Sequence, residues 1–344
     1  MKLTIETKSG KFSVECDPGQ NVLFAGLGEG LSLPYECATG ICGTCRCRIM
    51  DGTPELQWKD APGLARVKID KNESLMCQLK MRGPCKIRVL GNIEKGGTDP
   101  KFYSARLIDL EKLTHDVVRF SLQLDVQMSF QPGQFVVVEV DGVPGGRAYS
   151  MTNFGKNVDR LDLVIKRIPN GSFSEWLFDG WPEGVELRLF GPLGKATFDP
   201  AENMNLLCIA GGSGIAGIMS ILKNIIDSNY YSDHKCDLFF GIRNNEDIFF
   251  GDELNQLVEM SRNNLSVTLA LSDEPIGPEL NTRYPSLNFA QGFVHSVASE
   301  TMKNRYENVC GYIAGPPPMV DAALRVLILE GKLSGENIRY DKFS

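Results

Sequence analysis

The chain has 344 residues, 42% of them hydrophobic and 23% charged, with a formal net charge of −7. That length supports two or three domains with real cores, and the composition excludes a disordered chain. The negative charge argues against a nucleic-acid partner, and the most apolar stretch, 206–222, is broken by Gly211, Gly212, Gly214 and Gly217, so it reads as strand, turn and helix start rather than a membrane span.

The chain opens on an alternating strand pattern, Met1-Lys2-Leu3-Thr4-Ile5-Glu6, and not on the basic end and apolar run of a signal peptide. Its 10 cysteines then read as thiols in a cytoplasmic setting. The first segment, 1–93, predicts a hairpin over 2–7 and 11–16 and a short helix from Asn21, with Val22, Leu23 and Leu27 on one side. A cysteine loop follows, then a closing strand over 86–90. This segment holds 13 Lys/Arg against 10 Asp/Glu, so the acidity lies in the remainder.

Residues 94–100, with Gly96-Gly97 and Asp99-Pro100, read as a linker into the second segment, 94–200. There the strands 117–124, 135–140, 161–168 and 185–190 are separated by Pro132-Gly133, Gly145-Gly146 and Asn170-Gly171, which suggests a small antiparallel barrel. The third segment, 201–344, interleaves strands 206–210, 235–240, 265–271 and 309–314 with helical patterns, as in a doubly wound α/β domain. The fold class is thus multidomain, α+β with α/β.

Cys37-x4-Cys42-x2-Cys45, with Cys77 after 31 more residues, is the ligand spacing of a plant-type [2Fe–2S] cluster. Four thiolates must converge on a small anionic core, so the backbone must wrap closely and aim N–H groups at sulfur; Gly40 and Gly43 permit that. A zinc site is the competing reading, but it usually takes two C-x2-C pairs and only one is present. Cys47 reads as a strand side chain, and Cys16, Cys85, Cys208, Cys236 and Cys310 as small buried residues.

Arg147-Ala148-Tyr149-Ser150 offers a cation for a pyrophosphate, an aromatic platform and a hydroxyl for a flavin ring. Alone it is better read as a strand edge with ordinary side chains. Further on, Lys166 precedes a turn and helix start at Gly171, Phe173 and Ser174, whose backbone N–H groups suit an anion. Strand 206–210 runs into Gly211-Gly212-Ser213-Gly214, a glycine turn before a helix that is either a phosphate cradle or a plain tight turn. Gly315-Pro316-Pro317 follows a second strand, with prolines suited to a first helical turn. Two such turns would flank one crevice at the strand ends.

These motifs in this order resemble the NADH-dependent reductase components of bacterial multicomponent oxygenases, and among them the toluene- and xylene-type monooxygenase reductases. The stretches that carry the resemblance are 35–45, Trp58-Lys59-Asp60-Ala61-Pro62-Gly63-Leu64, 147–153, 211–216, 315–319 and Tyr340-Asp341-Lys342-Phe343. The resemblance implies an N-terminal β-grasp ferredoxin domain, an antiparallel β-barrel FAD domain and an NAD domain whose tail returns to the flavin. It implies FAD contacts at Arg147, Ala148, Tyr149, Ser150, Lys166, Gly171, Phe173 and Ser174, with Tyr149 and Ser150 beside the reacting ring and Phe343 covering it. NAD would meet Gly211, Gly212, Ser213, Gly214, Gly315, Pro316 and Pro317. For the adenosine ribose, Asp247 or Glu246 favours NADH, whereas Arg243 would suit a 2′-phosphate. Two positions depart from the family pattern: Gly217 stands where proline is frequent, and Ala314 where a cysteine usually lies beside the nicotinamide. Cys310, four residues earlier, should point elsewhere. Ala314 is expected to tune flavin reduction without abolishing it.

The implied reaction is hydride transfer from NADH to FAD, then single-electron steps through the cluster to an oxygenase hydroxylase or a Rieske-type ferredoxin. Rival readings are the same circuit feeding a non-oxygenase acceptor, such as a deoxysugar-forming dehydratase, or a redox carrier or sensor without turnover. A structural metal protein is a third. Arg46 and Arg48 directly follow the cluster cysteines, so the docking face is either basic or simply solvated.

Overall fold

A computed structural model describes residues 1–96, 100–180, 184–262 and 264–342. Phe343 and part of the 94–100 linker lie outside the described residues. The first segment forms β1 (Lys2–Glu6), β2 (Lys11–Glu15), α1 (Val22–Gly28), β3 (Arg46–Asp51), β4 (Glu55–Leu56), β5 (Glu73–Leu75), β6 (Leu79–Lys80) and β7 (Cys85–Arg88). The second forms β8 (Lys101–Lys112), β9 (Val117–Phe130), β10 (Phe135–Val140), β11 (Val143–Ser150), β12 (Gly155–Lys166), α2 (Ser172–Phe178) and β13 (Glu186–Leu193). The third forms β14 (Asn205–Gly211), α3 (Ile215–Asp227), β15 (Cys236–Ile242), α4 (Gly251–Met260), β16 (Leu265–Leu271), α5 (Leu280–Arg283), β17 (Asn288–Gln291), α6 (Val294–Met302), β18 (Val309–Gly315), α7 (Pro317–Arg325) and β19 (Ile338–Lys342).

Two compact units result. One contains 1–104, 136–148 and 187–193. Its β-grasp sheet runs β2-β1-β7-β3-β5. Strand alternation turns Leu3, Ile5 and Ile87 inward, each fully buried. The Asn21 carboxamide oxygen accepts from the N–H groups of Leu23 and Phe24 and starts α1 at the predicted place. Helix α1 lies on the inner face: a Cβ on Gly26 would fall 2.4 Å from Leu33 Cδ1 and 3.5 Å from Ile5 Cδ1. Phe24 on α1 stacks on Phe190 at 4.2 Å and meets Phe102 edge-on at 6.1 Å. Strands β11, β10 and β13 lie side by side in this unit. The Gly145-Gly146 pair, expected to separate strands, sits inside β11. Glycine serves close packing there, because a Cβ on Gly146 would stand 2.5 Å from Val137 Cγ1 on β10.

The other unit contains 105–135, 149–186 and 194–344. Strand β9 pairs antiparallel with both β8 and β12. The α/β part is a parallel sheet of order β17-β16-β15-β14-β18-β19. Both faces are covered, so β14 is apolar from Leu206 onward: Leu206, Cys208 and Ala210 join the core with α3 and α4, and Leu207 and Ile209 join that with α6 and α7. The strand order reverses at β14, with β15 on one side and β18 on the other. That switch point is where open α/β sheets place a ligand, outside the carboxyl ends of the strands. Among the described residues no helix is long and apolar enough to cross a membrane.

Candidate functional site

The cysteine loop, 37–45, joins α1 to β3 with left-handed backbone at Ala38, Gly40 and Gly43. Cys37, Cys42, Cys45 and Cys77 are all buried free thiols. The Sγ atoms of Cys45 and Cys77 are 3.2 Å apart. Cys37 Sγ accepts from the N–H groups of Cys42 at 3.3 Å and Thr39 at 3.5 Å, and Cys42 Sγ from that of Thr44 at 3.5 Å. The Cys37 thiol is lowered to about 6 by the hydrogen bond from Cys42, with these N–H groups adding to the effect against burial. The same contact pushes Cys42 up. Convergent thiols with N–H groups trained on sulfur fit a [2Fe–2S] cluster.

Two further elements hold this loop. The Asn21 side chain that caps α1 also donates to the Cys77 carbonyl at 2.7 Å, and Gln78 Nε2 lies 3.7 Å from Cys77 Sγ. The 3-10 turn Pro62–Arg66 closes over the other side. Gly63 N–H donates to the Gly40 carbonyl at 2.9 Å, and Arg66 Nη1 to the Cys42 carbonyl at 2.6 Å. Arg46 Nη1 donates to the Arg66 carbonyl at 3.2 Å. The Trp58–Leu64 stretch is visible in the sequence, but nothing there says it latches the cluster loop. Cys47 is a buried β3 side chain whose thiol is pushed up by burial.

Strand β11 carries Arg147, Ala148, Tyr149 and Ser150. The Tyr149 ring packs against Phe173 at 5.3 Å and edge-on to Phe120 at 6.0 Å. Phe173 is itself buried between Tyr149 and Trp176, so its ring steadies the platform. Lys166, at the end of β12, pairs with Asp116 at 2.8 Å. Gly171 caps α2 where no side chain fits: a Cβ would lie 2.6 Å from Ser174 Oγ and 2.9 Å from the Ile168 carbonyl. The Ser174 hydroxyl closes that turn, accepting from Ile168 N–H at 3.0 Å. Gly171 and Ser174 therefore shape the turn through backbone and hydroxyl, leaving their neighbours' N–H groups for an anion.

The two glycine turns meet. Gly212, Ser213 and Gly214 form a 3-10 turn between β14 and α3. A Cβ on Gly214 would lie 2.5 Å from the Ala314 carbonyl, and one on Gly315 would lie 3.1 Å from the Gly211 carbonyl. Pro316 caps α7 and Pro317 opens it. The glycine turn before α3 and the proline turn before α7 thus border one crevice at the switch point.

Helix α3 also reaches the barrel strands. Gly133 N–H donates to Ser220 Oγ at 2.8 Å, and a Cβ on Gly217 would lie 3.4 Å from Ser150 Cβ. Beside this contact is a cavity of about 10 Å³, the space of roughly one water, lined by Ser150, Gly217, Ala314 and Asp341 among others. Asp341 has no site role in the sequence reading, where it stands only within the terminal stretch that carries the resemblance. It arrives because β19 pairs with β18 and sets Asp341 opposite Ala314. The expectation that Cys310 points elsewhere needs correction: it shares a face of β18 with Ala314 and joins the same core, but lies back toward the strand's start.

After β15, Arg243 and Glu246 are exposed. The buried Asp247 carboxylate instead accepts from Asn244 N–H at 3.1 Å and closes a capping box. Asn245 N–H donates to the Glu274 carboxylate.

Comparison with known proteins follows the same three-part division. Family models match as a 2Fe-2S iron-sulfur cluster binding domain over 5–82, an oxidoreductase FAD-binding domain over 104–198 and an oxidoreductase NAD-binding domain over 208–325. The ferredoxin–NAD(P)(+) reductase CarAd of Metapseudomonas resinovorans is 33% identical, over 95% of this chain and 96% of that one. The xylene/toluene monooxygenase electron transfer component XylA of Pseudomonas putida is 29% identical, over 99% and 93%. The solved ferredoxin reductase in carbazole 1,9a-dioxygenase superposes with a TM-score of 0.83 at 32% identity, covering 99% of this chain and 98% of that one. With its convergent cysteine loop, its barrel strands and its double glycine crevice, the chain belongs to the family of oxidoreductases that serve as reductase components of multicomponent oxygenases.

Proposed function

We propose that this chain takes electrons from NADH and delivers them, through FAD and the [2Fe–2S] cluster, to an oxygenase hydroxylase or a Rieske-type ferredoxin in the cytoplasm. The boundaries assigned are 1–93, 94–200 and 201–344. The observation that carries the reading is the junction of Ser150 on β11 with Gly217, Ala314 and Asp341. It sets the expected flavin-ring residue beside the ends of the strands that border the dinucleotide crevice. FAD, when bound, supplies the exchange between a two-electron donor and a one-electron acceptor.

The chain's own residues then bind and orient. Tyr149, backed by Phe173 and Phe120, gives the ring a rigid platform. Ser150 offers a buried hydroxyl, and Arg147 and Lys166 supply cations for phosphates. The N–H groups of Gly212 to Gly214 hold the coenzyme pyrophosphate, while Pro316, Pro317 and Pro318, which have no N–H to donate, wall the crevice opposite. Cys37, Cys42, Cys45 and Cys77 hold the cluster. The xylene/toluene relative supports an aromatic hydrocarbon as the partner's substrate class.

An anaerobic NADH titration followed by visible absorption and EPR tests the circuit. Bleaching of the flavin bands with growth of a reduced [2Fe–2S] signal is expected. Flavin bleaching without a cluster signal refutes the final transfer.

A further inference from the structure

The outer face of the β-grasp sheet carries a charge ladder that register alone makes visible. Across β5, β3, β7, β1 and β2, the residues Glu73, Arg48, Arg88, Glu6 and Lys11 stand directly opposite one another in turn. Like charges directly opposite, such as Arg48 and Arg88, destabilise a sheet unless something compensates. Glu6 supplies part of that compensation. Its carboxylate holds Lys86 at 2.9 Å, Arg88 at 3.0 Å and Lys11 at 3.1 Å. One anion among three cations leaves the face positive. Asp51 opposite Lys86, Glu73 beside Arg48 and Glu15 opposite Lys2 are the other acids on it.

Along β3 the same face continues from Arg48 to Arg46, beside the cluster loop. Strand β3 begins with Arg46, directly after Cys45, and Arg66 holds the Cys42 carbonyl. Both side chains are exposed, and among the described residues no acid pairs with either. The cations of the ladder are open as well, with side-chain exposures of 69% for Lys11, 47% for Arg88 and 44% for Arg48. The opposite face of the sheet is already taken by α1, whose Phe24 is packed on Phe190. The positive face is also not a property of the whole chain, since the first segment is basic and the total charge is −7.

We propose that this outer face docks the electron acceptor, and that the acceptor is a protein whose redox centre is ringed by Asp and Glu. The inference rests on the electron-delivery reading above. Opposite potentials steer encounter and set orientation. An acidic ring drawn to the Arg46–Arg66 end comes to rest over the cluster loop, where electron transfer has its shortest route.

The test uses the holoprotein with two probes of opposite charge: cytochrome b5, an acidic haem protein, and cytochrome c, a basic one. One NADH reduces two ferric haems, giving NAD+, one proton and two ferrous haems. Rates are measured from about 20 to about 500 mM salt, which shortens the screening length from about 20 Å to about 4 Å. The expected result is that kcat/KM for cytochrome b5 falls about tenfold or more with salt, while that for cytochrome c does not fall. An Arg48→Gln/Arg88→Gln variant should lose most of the cytochrome b5 rate at low salt and show a flatter salt slope. Its reduced-cluster EPR signal and its ferricyanide rate report that the circuit is intact. A cytochrome b5 rate indifferent to salt in the parent protein, or unchanged in a variant with intact EPR, overturns the docking face and leaves the electron circuit standing. A cluster that NADH fails to reduce refutes the circuit instead.

Discussion

Replacing Gly63 by alanine tests whether the Pro62–Arg66 turn is a latch or a passive loop. The backbone of Gly63 is outside the left-handed region, so alanine costs no conformational strain and gains about 0.4–1 kcal/mol by restricting the unfolded chain. Against that, its Cβ would stand 2.7 Å from the Gly40 carbonyl, 2.9 Å from Gly43 N and 2.9 Å from Leu75 Cδ1. Two of these neighbours are backbone atoms of the cysteine loop and cannot rotate away. Overpacking of this kind costs about 1–3 kcal/mol, and the bond from Gly63 N–H to the Gly40 carbonyl, worth about 1 kcal/mol, is put at risk. The clash outweighs the entropy gain, so the holoprotein should melt roughly 5 °C or more lower. Its visible cluster absorbance per chain should fall as well. Gly83→Ala, which meets nothing within 4 Å, is the control and should leave both unchanged. A Gly63→Ala protein with unaltered melting and full cluster content refutes the latch.

Gly217→Ala should stay within about twofold of the parent in stopped-flow flavin reduction by NADH, because its Cβ makes only contact-distance approaches of 3.4 and 3.5 Å to Ser150. Gly217→Val adds γ-carbons on that side and should slow the step about tenfold or more; equal rates for both would show that this junction does not govern the reaction. Asp247→Ala removes the capping box and should cost about 1 kcal/mol in urea denaturation without changing the ratio of NADH to NADPH rates. A swing in that ratio would mean that Asp247 faces the coenzyme. Glu6 is lowered to about 2, chiefly by Lys86 and then by Arg88 and Lys11, from a usual value of 4.5. Its ionic contacts therefore stabilise the fold fully above the usual value and are lost as pH falls toward the lowered one. Glu6→Gln should flatten the fall in urea midpoint between about pH 5 and about pH 3, and an identical fall in both proteins would contradict this.

Short-range chemistry was legible in the sequence. The cysteine spacing, the Asn21 cap and the Gly211–Gly214 turn each need only neighbours along the chain, and each appears where the residues placed it. Long-range pairing was not. Asp341 reaches the cavity only because β19 adds beside β18, and the charge ladder exists only because Arg48 falls opposite Arg88 across a gap of 39 residues in the sequence. Gly145-Gly146 misled for a related reason. A glycine pair marks a turn when read locally, but here it relieves contact with a strand whose approach no local pattern reveals. Asp247 has the residue type of a ribose ligand, and the sequence does not show that its carboxylate also accepts from the backbone N–H of Asn244, three residues earlier.

The stack of Phe24 on Phe190 bears on how such a chain can be taken apart. Phe24 is only 3% exposed, and the rings that cover it, Phe102 and Phe190, both lie beyond residue 93. A gene fragment cut at the linker would therefore carry a bare aromatic ring on α1 and leave two more behind. An excised iron–sulfur module is expected to self-associate through that ring unless Phe24 is replaced by a polar residue. Grafting the module onto another flavoprotein would likewise require the host to supply a matching aromatic seat.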